Sequence, residues 1–250
     1  MRLKCLACEA LARIVYLCAA QSQHIVDVEL YRIGLHREPD DLRVRLQERI
    51  DAVAGDGYDA VVMAYGLCGQ STAGLIAREI PLVIPRAHDC ITLFLGSRSR
   101  YGQEFRERPG TYWYALDYTE RSDGSMGLGA DADAKTQETY REYVEKYGED
   151  NAVYLMEVMG AWQAHYDRAA FIDMGVGDSE AVEAHTQEVA AGRGWSFERM
   201  AGDLVLIQRL LEGDWGEDVL VLEPGQQIAM TYDGGVIKGQ DGVSPEEGGG

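Results

Sequence analysis

Cysteines and a histidine follow two neighbouring strands that the sequence predicts, at the point where each strand ends. Cys68 comes soon after the apolar stretch 60–64, and the run His88-Asp89-Cys90 follows the apolar stretch 81–84. Thiolate and imidazole are the ligands that zinc and related metals prefer in proteins. Because the carboxyl ends of parallel strands meet at one crevice, the sequence predicts a metal or thiolate site there.

A second group of thiols lies at the first predicted strand, in the spacing Cys5-x-x-Cys8. This spacing suits zinc, an iron–sulfur cluster or a redox disulfide. An extended chain through residue 7 would point the two thiols in different directions, so we expect only one to reach the site. We expect Cys5 to be that ligand, with Cys8 as the alternative, and Cys18 to lie in the core.

Glycines flank Cys68, and an arginine precedes the histidine. Gly66 and Gly69 would allow a ligand or a bulky cofactor to approach closely. A predicted helix after the turn should favour the thiolate form of Cys68 through its N–H groups and dipole. Arg86 could bind a carboxylate or phosphate of a ligand.

Two metal chemistries remain open for these residues. An iron–sulfur cluster would use Cys5, Cys68 and Cys90, with His88 or Cys8 as a fourth ligand or an outer group. A mononuclear zinc site would use Cys68, His88 and Cys90 and keep one position open for a water or a substrate thiol. The acidic residue between the histidine and the last cysteine could orient the imidazole.

The fold that must position these residues is predicted to be α/β. Apolar strands alternate with amphipathic helices, which indicates two Rossmann-like lobes with mostly parallel sheets and a site at the carboxyl ends of the strands. We expect a first lobe at 1–125, a second at 126–237 and a disordered Gly-rich tail at 238–250. Predicted strands are 3–7, 25–30, 60–64, 82–84, 111–116, 169–173, 197–200 and 219–222. Predicted helices are 9–21, 40–54, 71–79, 136–147, 152–165, 179–191 and 203–211.

The composition narrows the functional classes. The 250 residues carry a formal net charge of −19, so binding to nucleic acid or to an anionic membrane through a general field is not expected. No apolar stretch reaches the length of a membrane span. Five cysteines cannot all pair, which favours reduced thiols and a cytoplasmic location.

The run Tyr65-Gly66-Leu67-Cys68-Gly69, followed by the block 81–97, resembles the signature of the family called domain of unknown function 1638. The run 109–113 and the late pairs Gly202-Asp203 and Pro224-Gly225 also fit. Members of that family occur in anaerobic bacteria and archaea, often encoded near corrinoid-dependent methyltransferases. The resemblance implies that Cys68, His88 and Cys90 are site residues, and it implies no particular metal.

The His-x-Cys element is also similar to part of the zinc motif of thiol methyltransferases that accept a methyl group from a corrinoid. In those proteins the remaining cysteine follows the element, whereas Cys68 precedes it here and Cys90 is the last cysteine. This difference argues against the same fold.

Three hypotheses follow. The first is an iron–sulfur protein of anaerobic one-carbon or methylamine metabolism, which acts as a redox or methyl-transfer component beside a corrinoid protein or methyltransferase. The second is a mononuclear zinc enzyme that activates a thiol or water on a small-molecule substrate. The third is a non-catalytic partner that binds a corrinoid or another small ligand.

Overall fold

The computed structural model describes residues 1–53, 55–121, 141, 144–146, 148–149 and 165–242. Its strands are β1 (Arg2–Cys8), β2 (Ile25–Tyr31), β3 (Ala60–Ala64), β4 (Leu82–Pro85), β5 (Thr111–Ala115), β6 (Arg168–Asp173), β7 (Ser196–Ala201), β8 (Val219–Leu222), β9 (Gln226–Met230) and β10 (Ile237–Asp241). Its α-helices are α1 (Ala12–Gln21), α2 (Pro39–Ala52), α3 (Cys90–Leu95), α4 (Arg98–Glu107), α5 (Leu116–Glu120), α6 (Glu180–Arg193) and α7 (Val205–Glu212). The α/β class and the mostly parallel pairing of strands are as the sequence predicts.

The first compact unit contains residues 1–102, 174–176 and 201–250. Its five-stranded sheet has the order β2-β1-β3-β4-β8, in which the first four strands are parallel and β8 is antiparallel to β4. Strands β3 and β4 are buried along their whole length because both faces of the sheet are covered.

Helices pack on both faces of this sheet, and alternate residues of a strand contact the helices on opposite faces. Leu6 of β1 joins the core of α2, to which Leu42, Leu46 and Ile50 contribute, and Cys8 packs against that core. Helices α1 and α7 contact each other, and both contact strands of the sheet. Successive residues of a strand point to opposite faces, so the position of each β1 residue along the strand decides which core it enters.

The second compact unit contains residues 103–173 and 177–200. Its three strands have the order β5-β6-β7, and β5 runs parallel to β6. Helix α6 packs on β6, and the core includes Tyr114, Phe171 and Val182. Strand β5 is the edge strand that the sequence predicts.

The two units are discontinuous in sequence, which differs from the expected division at residues 125 and 126. Strand β8 belongs to the first unit because its apolar residues extend the buried sheet beside β4. Residues 238–241, expected to belong to a disordered tail, are instead ordered, since Ile237–Asp241 forms β10 and pairs with β9. The predicted helices 136–147 and 152–165 lie almost wholly outside the described residues, as does 243–250.

The predicted helix 71–79 is wrong. Gly74 has a positive φ of 84°, which a right-handed helix does not contain. The segment instead pairs with β9: Gly74 N donates to Ile228 O, and Ala77 N donates to Gln226 O. An isolated bridge between Ile76 and Gln227 continues this pairing. Cross-strand pairing therefore overrides the local helical pattern.

Candidate functional site

The loops that follow β3 and β4 lie against each other. Leu67 N donates to Ala87 O at 2.8 Å, and Cys68 N donates to His88 O at 2.9 Å. A β-carbon on Gly66 would meet the Asp89 backbone, so this glycine is required by the neighbouring loop rather than by a ligand. The two loops form one backbone-bonded element at the carboxyl ends of the strands.

Asp89 begins helix α3 and thereby fixes Cys90 as the first helical residue. Its Oδ1 accepts hydrogen bonds from Ile91 N and Thr92 N at 3.0 and 3.2 Å, and Tyr101 donates to its Oδ2 at 3.0 Å. Burial raises the pKa of Asp89. This carboxylate therefore orients a helix and a tyrosine, whereas the sequence predicted that it would orient the imidazole of His88.

Three thiols lie at this end of the sheet: Cys8, Cys68 and Cys90. Cys8 ends β1 and packs, like Cys68, against the core on the α2 face. Their mutual influence shows in their pKa values, because after burial the charges of Asp89, Cys68 and Cys8 raise the pKa of Cys90. A charge on Cys8 likewise raises the pKa of Cys68. The three sulfurs come from three separate elements of the chain.

Backbone N–H groups point at these sulfurs. Those of Gly66 and Cys90 are hydrogen-bonding partners of the Cys68 sulfur, and that of Ala10 is a partner of the Cys8 sulfur. Such donors stabilise negative charge on sulfur. Cys68 itself has a φ of 46°, a left-handed conformation that is uncommon for a residue with a β-carbon and is concentrated at functional sites.

Burial is the largest influence on the pKa values of the thiols. It raises the pKa of Cys68 to about 12 and that of Cys8 to about 11, in spite of the N–H donors. The sequence predicted a favoured thiolate at Cys68 from a following helix, and that helix is replaced by turns. The thiols are protonated at neutral pH until something with positive charge binds them.

Tyr65 adds a polar group beside the thiols. Its side chain is 2% exposed, and its hydroxyl has no hydrogen-bond partner in the described part of the chain. Tyr65 belongs to the core against which Cys8 and Cys68 pack, and after burial the charges on both thiols raise its pKa. A buried hydroxyl without a partner costs about 1–3 kcal/mol. This location therefore favours an occupant that accepts a hydrogen bond.

Cys5 lies on the other face of β1 from Cys8. It is fully buried, the backbone N–H of Ala64 is its hydrogen-bonding partner, and burial raises its pKa to about 12. Residues three apart in a strand point to opposite faces, so one strand cannot direct both thiols to one site. The structure brings Cys8 to the other thiols instead of the expected Cys5. Cys18 is buried on α1, as predicted.

Three other residues that the sequence predicted for the site, His88, Arg86 and Gly69, have surroundings that differ from those predicted. The His88 ring is exposed and stacks on Tyr101 with 5.6 Å between ring centroids, so its carbonyl rather than its ring contacts the Cys68 loop. Arg86 donates to the carbonyls of Gly235 and Ile237 and so holds the turn between β9 and β10. Gly69 has a φ of 63° and borders open space.

Sequence reasoning missed Tyr65 and ranked Cys8 second. The parity of residues along β1 was a usable signal, because Leu6 and Cys8 share the face that packs on α2. No group of three or more His, Cys, Asp or Glu side chains among the described residues is arranged so that it could hold a metal ion. Within the same residues, no helix has the length and apolar character to cross a membrane.

A family model described as "Protein of unknown function (DUF1638)" matches residues 30–211. The chain belongs to this family. The DUF1638 match includes Cys68, His88 and Cys90 and begins after Cys8, so the family does not bear on the thiol of β1. Neither a curated protein nor a solved structure matches the chain.

Proposed function

We propose that this DUF1638 protein binds an iron–sulfur cluster through Cys8, Cys68 and Cys90. The proposed role is that of a redox or methyl-transfer component in anaerobic one-carbon or methylamine metabolism. It would work in the cytoplasm beside a corrinoid protein or a methyltransferase, as the family resemblance implies. The observation that carries the proposal is that three thiol-bearing segments, the end of β1, the β3 loop and the start of α3, follow neighbouring strands at one end of the sheet.

The donors around the sulfurs fit such a cluster. Thiolates that bind iron carry negative charge, and N–H groups that point at them stabilise that charge and tune the potential. Cys68 has two such donors and Cys8 has one. In a four-iron cluster each thiolate would bind a different iron atom, so the three sulfurs need not converge on one point.

The unpartnered hydroxyl of Tyr65 fits the same occupant. Cluster sulfides and thiolate sulfurs accept hydrogen bonds, and a phenol beside Cys8 and Cys68 can donate one. Metal binding releases the thiol protons even where burial has raised their pKa, because the metal charge outweighs the cost of burial. The cluster would supply storage of an electron, while the chain supplies the thiols and the N–H donors.

Anaerobic purification with metal and sulfide analysis tests the proposal. We expect a brown protein with iron, acid-labile sulfide and charge-transfer absorption, all lost in Cys8→Ala, Cys68→Ala and Cys90→Ala. Cys5→Ala and Cys18→Ala are matched controls, because both remove a buried thiol outside the site, and both should keep iron and sulfide. A colourless anaerobic protein without iron would overturn the proposal.

The same measurement separates the alternative functions. One zinc without sulfide, lost in His88→Ala as well as in Cys68→Ala, would indicate the mononuclear zinc enzyme. Binding of a corrinoid that survives Cys68→Ser and Cys90→Ser in a metal-free protein would indicate the non-catalytic ligand carrier. Retention of iron in Cys8→Ala with loss in Cys5→Ala would restore the ligand set that the sequence predicted.

A further inference from the structure

A cavity of about 640 Å³ opens at the carboxyl end of β2. It is lined by the end of that strand, the following residues and α2, with these side chains: Leu30, Tyr31, Arg32, Leu35, Arg45, Glu48 and Arg49. A volume of this size suits a small organic molecule. The cavity belongs entirely to the first unit, and none of the three thiols lines it.

The charge of the lining contrasts with that of the chain. Three arginines face one glutamate in the cavity, whereas the whole chain has 42 acidic and 23 basic residues. Carboxylates neutralise two of these arginines, Arg45 and Arg49, so Arg32 is the guanidinium that a small anion can engage in the cavity. The leucines at two positions of the lining offer contact for an apolar part of the same molecule.

The three arginines differ in how they are held. Arg49 Nε donates to Glu29 at 2.8 Å, and Arg45 Nε donates to Asp41 at 2.8 Å, so both guanidinium groups are already ordered. Arg32 is exposed, and no described residue accepts a hydrogen bond from its side chain. A guanidinium without an acidic partner at a cavity wall is the group that a carboxylate or phosphate would engage in paired hydrogen bonds.

The register of the sheet relates this cavity to the thiols. Tyr31 is the residue of β2 that pairs with Cys8 of β1, and both pack against the core on the α2 face. A charge on Tyr31 also raises the pKa of Tyr65, whose hydroxyl lies beside Cys8 and Cys68. The cavity therefore begins on the neighbouring strand, at the same end and on the same face as the site.

We propose that this cavity binds the carboxylate or phosphate group of a small organic anion, with Arg32 as the residue that engages it. We assign this anion as the substrate of the neighbouring thiol site, and that assignment rests on the proposed function. The binding of the anion does not depend on a cluster, because none of the lining residues is a proposed ligand.

Calorimetric titration with inorganic phosphate, and separately with acetate, tests the cavity at low ionic strength. We expect saturable binding of at least one anion, weakened about tenfold or more in Arg32→Gln through loss of a charge-assisted pair. Arg209→Gln is the matched control, since it removes an exposed arginine of α7 outside the cavity, and its binding should equal that of the wild type. Preference for phosphate or for acetate identifies the anionic group.

Two outcomes would overturn the inference: binding of neither anion by the wild type, or equal binding by the wild type and Arg32→Gln. Repeating the titration with Cys68→Ala separates this inference from the proposed function. Anion binding that depends on Arg32, in a wild-type protein that contains no iron after anaerobic purification, would support anion binding by the cavity and contradict the cluster. A brown protein that binds neither anion would support the cluster and contradict the proposal that the cavity binds an anion.

Discussion

A β-carbon on Gly66 would lie 2.6 Å from the backbone nitrogen of Asp89. The loops that carry Cys68 and Cys90 therefore touch through their backbones, with no side chain between them. Real β-carbon contacts at that distance do not occur, so the chain must move if residue 66 has a side chain. The separation of the two thiols is set by this contact together with the hydrogen bond from Cys68 N to His88 O.

Gly66→Ala should destabilise the protein and reduce its iron content. Separating two hydrogen-bonded loops costs about 1–3 kcal/mol in free energy of unfolding. Urea denaturation measures that free energy, and iron analysis after anaerobic purification measures occupancy. Gly216→Ala is the control, since its added β-carbon would meet no described atom within 4 Å. Equal stability of Gly66→Ala and Gly216→Ala would contradict the close approach.

Thiols at the site should react slowly with alkylating agents in the metal-free protein. Burial raises the pKa of Cys68 to about 12 from 9.0, so its thiolate fraction at pH 8 is about a thousandfold below that of an unperturbed thiol. The thiolate is the reactive form, and the rate should therefore rise with pH well beyond pH 9. Alkylation by iodoacetamide, followed at each cysteine by mass spectrometry, measures this. Denatured protein is the control, in which all five cysteines should react alike; rapid labelling of native Cys68 at pH 8 would refute the prediction.

The sequence predicted the strands of the first sheet well because their apolar runs are buried on both faces. The bounds of β3 and β8 agree with the prediction, and those of β1 differ by one residue at each end. The loop after β3 was predicted as a helix over 71–79 because it lies between two predicted strands of an alternating strand–helix order. Its pairing with β9, about 150 residues later, is a tertiary contact that no local pattern contains.

The candidate site was predictable in part. The convergence of loops after β3 and β4 follows from parallel pairing, and it led to Cys68 and Cys90. The choice between Cys5 and Cys8 depended on which face of β1 is covered by α2, and this requires the packing of the helix. The ring of His88 is exposed because α3 begins at Cys90 and turns the chain directly after the histidine. The sequence did not predict this start of the helix.

Glu29→Gln should destabilise the protein at neutral pH and much less in acid. Burial alone would raise the pKa of Glu29, but hydrogen bonds from Lys4 and Arg49 outweigh it and lower the pKa below 4.5. A lowered pKa in the folded state means that the ionised group adds stability above the unfolded value, and that this stability is lost as the pH falls through the folded value. Lys4 is almost fully buried and lies 2.7 Å from Glu29, so removal of the carboxylate leaves a buried cation.

We expect a loss of about 1–3 kcal/mol at pH 7, reduced from the fully buried case because Glu29 is 34% exposed. Urea denaturation at pH 7 and near pH 3 measures it, and the difference between wild type and variant should shrink at the lower pH. Asp214→Asn is the control, since that carboxylate is 69% exposed and its removal should change stability little. A constant difference between the two pH values would show that Glu29 does not act through its charge.

Arg168→Gln should destabilise the second unit far more than Arg199→Gln, although each arginine has two acidic partners. Arg168 is 3% exposed, pairs with Glu104 and Glu198, and also donates to Thr111 Oγ1 at 2.8 Å. Arg199 is 55% exposed, so water replaces its lost ion pairs at small cost. We expect losses of about 2–4 kcal/mol for the first variant and below about 1 kcal/mol for the second, measured by urea denaturation. Similar losses in both would mean that burial does not control the strength of these pairs.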